Sequence, residues 1–122
     1  MDYILEKEVL ILKPTGEITS SNAIEVEASI EDIIKNNKFD KLILDFLELN
    51  YTSSAGLRVI LRLKQKYKNV SIINGNSNVY DILEMTGFTN ILDVKTDFDF
   101  VTTNVSISFF DEYIYRRLEL NL

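Results

Sequence analysis

The chain of 122 residues contains no cysteine, no histidine and no tryptophan, with one proline and four glycines. Without cysteine there are no disulfides, no thiolate catalysis and no Cys-based zinc site, and the chain suits a reducing compartment. Without histidine there is no Ser-His-Asp or Cys-His set, no imidazole base poised near neutral pH and no HExxH metal motif. No apolar run approaches the ~20 residues of a membrane helix. The start Met1-Asp2-Tyr3-Ile4-Leu5-Glu6 also lacks the basic and apolar regions of a signal peptide. A cytoplasmic protein without membrane insertion is expected. A net charge of −6 argues against nucleic-acid binding, which needs a dominant basic surface to release counterions.

What remains is an ordinary globular composition, 46% apolar and 26% charged, and the length suits one domain with one core. Tyr3-Ile4-Leu5 and Val9-Leu10-Ile11-Leu12 flank Glu6-Lys7-Glu8, which predicts two short strands around a charged turn. Pro14-Thr15-Gly16 punctuates the chain. Ser20, Ser21 and Asn22 are then candidate N-caps for a first helix, with Glu25 three residues after Asn22 as in a capping box. Ala23, Val26, Ile30, Ile33 and Ile34 share one face of that helix, and Glu25, Glu27, Glu31 and Asp32 take the other.

Lys41-Leu42-Ile43-Leu44-Asp45-Phe46 is nearly continuous in apolar residues, as a strand covered on both faces requires. Asp45 suits a strand-end cap for nearby N–H groups. After a loop through Asn50, a second helix opens at Ser53-Ser54-Ala55-Gly56-Leu57, with Ser53 or Ser54 as its N-cap. Gly56, Ile60, Leu63 and Tyr67 form its packing face, widened by Leu57 and Leu61. Asn69-Val70-Ser71-Ile72-Ile73-Asn74 predicts another strand. Ser77 is read as the cap of a third helix, which carries Val79, Ile82 and Leu83 and stops at Gly87. Alternating strands and helices predict an α/β fold, a mixed and largely parallel sheet with an antiparallel start and helices packed mainly on one face.

Phe98, Phe100 and Val101 read as strand or coil, and Ile107, Phe110, Ile114 and Leu118 as a terminal amphipathic helix. The domain is therefore expected to span 1–122, with its core at about 1–95 and an aromatic-rich segment and helix at about 96–122. Phe109, Phe110, Tyr113 and Tyr115 exceed what one helix face buries. Some are expected to lie against the sheet and others to form a self-association patch, which would give a homodimer; the plainer reading is a covering helix.

The run Leu42-Ile43-Leu44-Asp45-Phe46 leading to Tyr51-Thr52-Ser53-Ser54-Ala55-Gly56-Leu57-Arg58-Val59-Ile60-Leu61 resembles the signature of bacterial STAS domains. Thr15-Gly16-Glu17-Ile18 and Leu83-Glu84-Met85-Thr86-Gly87-Phe88 are similar to two flanking family elements, so the likeness covers roughly residues 9–95. The resemblance implies an anti-sigma-factor antagonist, a non-enzymatic partner-switching module with no cofactor and no metal. Its implied partners are an anti-sigma factor and serine kinase of histidine-kinase-like ATPase fold, and a PP2C-type phosphatase. The alternative it leaves is a constitutive STAS subunit of a larger assembly, in transport, lipid trafficking or stress signalling.

In that family the phosphorylated Ser or Thr immediately precedes the motif glycine, and this position is Ala55. Ser53 replaces the motif's Asp, and Thr19 replaces the Asp of its Gly-Glu-Ile-Asp element. Ser54 is then the phosphorylation candidate, with Ser53 behind it. The partner-binding candidates are Thr19, Ser53, Ser54, Ala55, Gly56, Arg58 and Arg62. Each has a plainer use. Ser53 and Ser54 suit helix capping, worth about 1 kcal/mol. Gly56 suits close packing of helix on sheet. Arg58, Arg62, Lys64, Lys66 and Lys68, five of thirteen basic residues, suit a solvated stripe or one that steers an oppositely charged partner. Asp97 and Asp99 carry no inference of an acid-base pair among nineteen acids.

Overall fold

A computed structural model describes residues 1–95 of the chain. The expectations placed on residues 96–122 lie outside the described residues. β1 (Asp2–Glu6) and β2 (Val9–Lys13) form the expected antiparallel hairpin, in register Glu6↔Val9 to Asp2↔Lys13. The two residues between them, Lys7 and Glu8, both have positive φ, 52° and 65°. A two-residue loop with that handedness matches the right-handed twist of its strands. The turn is tied onward, since the Glu8 carbonyl accepts from the backbone N–H of Asp40 at 2.8 Å where the next sheet strand begins.

The main sheet has five strands. β2 pairs in parallel with β4 (Lys41–Asp45), β4 with β6 (Val70–Ile73), and β6 with β7 (Asp93–Lys95), so the order is β1-β2-β4-β6-β7. Alternation sends Leu10, Leu12, Leu42, Leu44 and Ile72 to one face, where they meet α1 (Ala23–Lys35), α2 (Ser54–Lys66) and α3 (Ser77–Met85) in the principal core. Ile11, Ile43 and Ile73 point to the other face, with Ile4 and Val9 packed against them. The described helices therefore lie on one face, and the sheet is mixed with an antiparallel start, as the sequence predicts. Leu10, Leu12, Leu42, Leu63 and Leu83 are almost wholly excluded from water, each stabilising the fold by roughly 1.5–3 kcal/mol.

Two short strands escape a sequence reading. β3 (Gly16–Ile18) and β5 (Leu49–Thr52) pair in parallel as a separate small sheet, in segments read as a turn and a loop. β7 and the 3-10 turn at Phe88–Asn90 were likewise not anticipated. The cap of α3 is Asn76 rather than Ser77: its Oδ1 accepts from the Val79 N–H at 2.9 Å. Gly87 does end that helix, with φ 82° and its N–H on the Glu84 carbonyl. One expected member of the α2 packing face changes, since Leu61 is exposed on the outer side. Tyr67 packs against the core as expected, though from the C-cap position just past the helix, its ring 5.5 Å from that of Phe39.

Candidate functional site

The small sheet sets the position of every candidate. Ile18 pairs with Thr52, and the Ile18 carbonyl accepts from the Ser53 N–H at 2.8 Å, so the end of β3 is fastened to the start of α2. Thr19 follows directly and is brought beside Ser53. The loop after it is held by Asn22, whose Oδ1 accepts from the Thr19 N–H at 2.8 Å and whose Nδ2 donates to the Glu17 carbonyl at 2.8 Å. Asn22 occupies the N-cap position of α1 but makes no side-chain cap bond. It braces the loop backward onto β3 instead of capping forward, and the anticipated capping box does not form.

Ser53 stands at the N-cap position of α2 in extended conformation, also without a side-chain cap bond. Its hydroxyl is buried with no hydrogen-bond partner. Ser54 is the first helical residue and is exposed, and Ala55 is half-buried with its methyl against the core. Gly56 is buried because nothing larger fits. A Cβ there would sit in hard contact with Thr52 Oγ1 and 2.9 Å from Ile18 Cγ2. The plain packing reading of Gly56 thus has a direct geometric cause, and the close approach it permits sets where Ser54 emerges.

The basic stripe of α2 divides into two. Arg62 is held by Glu27 of α1 in a two-point contact, Nε to Oε2 at 2.6 Å and Nη2 to Oε1 at 2.8 Å, and Lys66 reaches Glu31 at 3.0 Å. The Arg62 hydrogen bond holds the Glu27 carboxyl below its usual range against the opposing effect of burial, while the Glu31 hydrogen bond raises the Lys66 ammonium. Lys64 donates to the Lys68 carbonyl at 2.7 Å. Arg58 is exposed and makes no hydrogen bond or ion pair among the described residues.

Asp45, by contrast, is buried below the surface. Its Oδ1 accepts from the Leu47 N–H and from Asn74 Nδ2, both at 3.1 Å, which is the strand-end role expected of it. Among the described residues no cluster of three or more carboxylates forms a set that could hold a metal ion. Two exposed apolar residues near the candidates were missed by the sequence reading: Ile24, 82% exposed in the first turn of α1, and Tyr51, 44% exposed on β5. A signal for Ile24 existed, because it falls outside the Ala23, Val26, Ile30 series that packs.

A mixed sheet with its helices on one face, and a helix start pinned to a small accessory sheet with its first serine exposed, define the architecture. Residues 3–101 match the model of the STAS domain, and the chain belongs to that family. It is similar to BtrV of Bordetella bronchiseptica, named as an anti-sigma factor antagonist, at 31% identity over 90 residues covering 70% of this chain and 77% of the relative. Among solved structures it resembles an anti-sigma factor antagonist of Thermotoga maritima, with TM-score 0.71, 20% identity and 93% of each chain covered. It also resembles the antagonist SpoIIAA in its unphosphorylated form, with TM-score 0.62, 18% identity, 86% of this chain and 100% of that one covered. The Bacillus SpoIIAA has also been solved in a phosphorylated form, at TM-score 0.55, 16% identity and coverage of 82% and 96%.

Proposed function

We propose that this protein is a cytoplasmic anti-sigma-factor antagonist that works by binding and not by catalysis. Its partner is an anti-sigma factor and serine kinase of histidine-kinase-like ATPase fold, docked on the surface formed by Thr19, Ser53, Ser54, Ala55 and Arg58. The observation that carries this reading is the start of α2. Gly56 draws the helix tight against Thr52 and Ile18, which leaves Ser54 exposed at the first helical position. The names of the curated relatives support the antagonist part of this reading.

Phosphate on Ser54 is the proposed off switch. It would add about −1.5 to −2 charges at a helix N-terminus, where unpaired N–H groups and the positive end of the dipole tolerate it, while a docked surface does not. Ser53 suits the role poorly because its hydroxyl is buried. A PP2C-type phosphatase would reset such a switch. The second reading is a constitutive STAS binder without a phosphoswitch, favoured by one observation: the position that carries the acceptor in the family is Ala55, whose methyl packs against the core. Incubating the purified chain with its kinase partner and ATP, followed by intact mass and fragment analysis, tests the two. One phosphate on Ser54 supports the switch. Stable complex with no phosphate supports the constitutive binder, and turnover of a small molecule with no protein complex overturns both.

A further inference from the structure

α1 and α2 lie side by side with a constant offset. Glu27 meets Arg62 and Glu31 meets Lys66, each pair 35 positions apart. Ser54, Arg58, Arg62 and Lys66 recur every four residues, which stacks them along one side of α2. The same offset one turn nearer the helix starts sets Arg58 opposite Ala23, which is buried and carries no charge. The ladder therefore has two closed rungs and one open rung. At the open rung a guanidinium has no partner among the described residues, and Ile24, which follows Ala23 in the first turn of α1, stands 82% exposed.

We propose that Arg58 and Ile24 form a recognition patch, and that the partner supplies the missing acid, a surface carboxylate set in an apolar collar. The carboxylate pairs with the planar fork of Arg58, and the collar covers Ile24. This rests on the partner-binding reading above and adds the chemistry of the partner's contact. The patch suits discrimination. On a chain of net charge −6 the general surface attracts basic partners, and an arginine with no acid beside it among the described residues penalises, at the docking point, any partner that brings no acid there. Arg62, already closed by Glu27, is assigned to holding α1 against α2.

The test is calorimetric titration with the purified histidine-kinase-like anti-sigma factor of the same organism, using the parent, Arg58→Gln, Arg58→Glu, Ile24→Ser and Arg62→Gln. Arg58→Gln is expected to weaken binding about 30-fold and Arg58→Glu further, with a shallower salt dependence. Ile24→Ser is expected to weaken it about 10-fold. The Arg58 variants should keep the parent's unfolding midpoint because Arg58 bonds to none of the described residues, whereas Arg62→Gln should lower the midpoint and keep the affinity of the folded protein. Parent binding with both Arg58 and Ile24 variants within twofold overturns the patch and leaves the proposed function standing. An equal affinity loss in Arg62→Gln also overturns it, since the open rung would then not be special. Failure of the parent to bind overturns the function and the patch together.

Discussion

Replacing Gly56 by alanine sets two effects of opposite sign against each other. Alanine is the better helix former by about 1 kcal/mol. Against this, the new Cβ would meet Thr52 Oγ1 in hard contact and stand 2.9 Å from Ile18 Cγ2. Both neighbours are buried β-strand residues paired with each other, so neither swings aside without disturbing the small sheet. Overpacking of this kind costs about 1–3 kcal/mol, and obstruction by two buried, β-branched side chains belongs at the upper end. The net expectation is a loss of about 2 kcal/mol, or roughly 5–10 °C in unfolding midpoint for a chain of this size. Circular dichroism melts of the parent, Gly56→Ala, Thr52→Ala and the double variant measure it. Thr52→Ala removes the nearer obstacle, so the cost of Gly56→Ala should fall by at least about 1 kcal/mol in that background. A stabilised Gly56→Ala, or costs that simply add, would refute the argument that close approach selects glycine here.

Asn76→Ala should destabilise the fold by about 1–2 kcal/mol in urea titrations, because both the cap bond to Val79 and the bond from Nδ2 to the Leu49 carbonyl are lost. Asn76→Asp, which keeps the cap, should lose less. For Glu27 the sign follows from its depressed folded pKa: the stabilisation is fully present above the unfolded value of about 4.3 and disappears as pH falls through the lower folded value. Glu27→Gln should accordingly lower the unfolding midpoint at pH 7 and do so progressively less as the pH is taken down below the ordinary glutamate range, and a pH-independent difference would contradict the ion pair.

The elements that could be read from sequence are those whose pattern is local. Leu42-Ile43-Leu44 announces a strand buried on both faces, and Ser53 through Leu57 announces a helix start whatever lies around it. β3 and β5 could not be read, because at three and four residues neither carries a periodicity, and each is a strand only through pairing with the other. The cap of α3 was read one residue late, at Ser77, because Asn and Ser are both good caps and their order alone does not choose between them. The choice falls to Asn76, whose amide also reaches the Leu49 carbonyl of β5. For the candidate site, the motif located Ser54 and Gly56 directly. The division of the basic stripe into paired Arg62 and open Arg58 was not visible, since it depends on helices whose contacts lie 35 positions apart. Ile24 was overlooked because the packing face of α1 was defined by the residues that fit it.

The role of the α2 start as a protein-docking surface is tested most directly by titration of the anti-sigma factor with the Ser54→Asp variant. Asp at the first helical position suits the positive end of the helix, so the unfolding midpoint should stay near that of the parent. The added charge at the docking surface should nevertheless weaken binding by about tenfold or more. Parent-like affinity for Ser54→Asp would contradict the placement of the docking surface at this helix start.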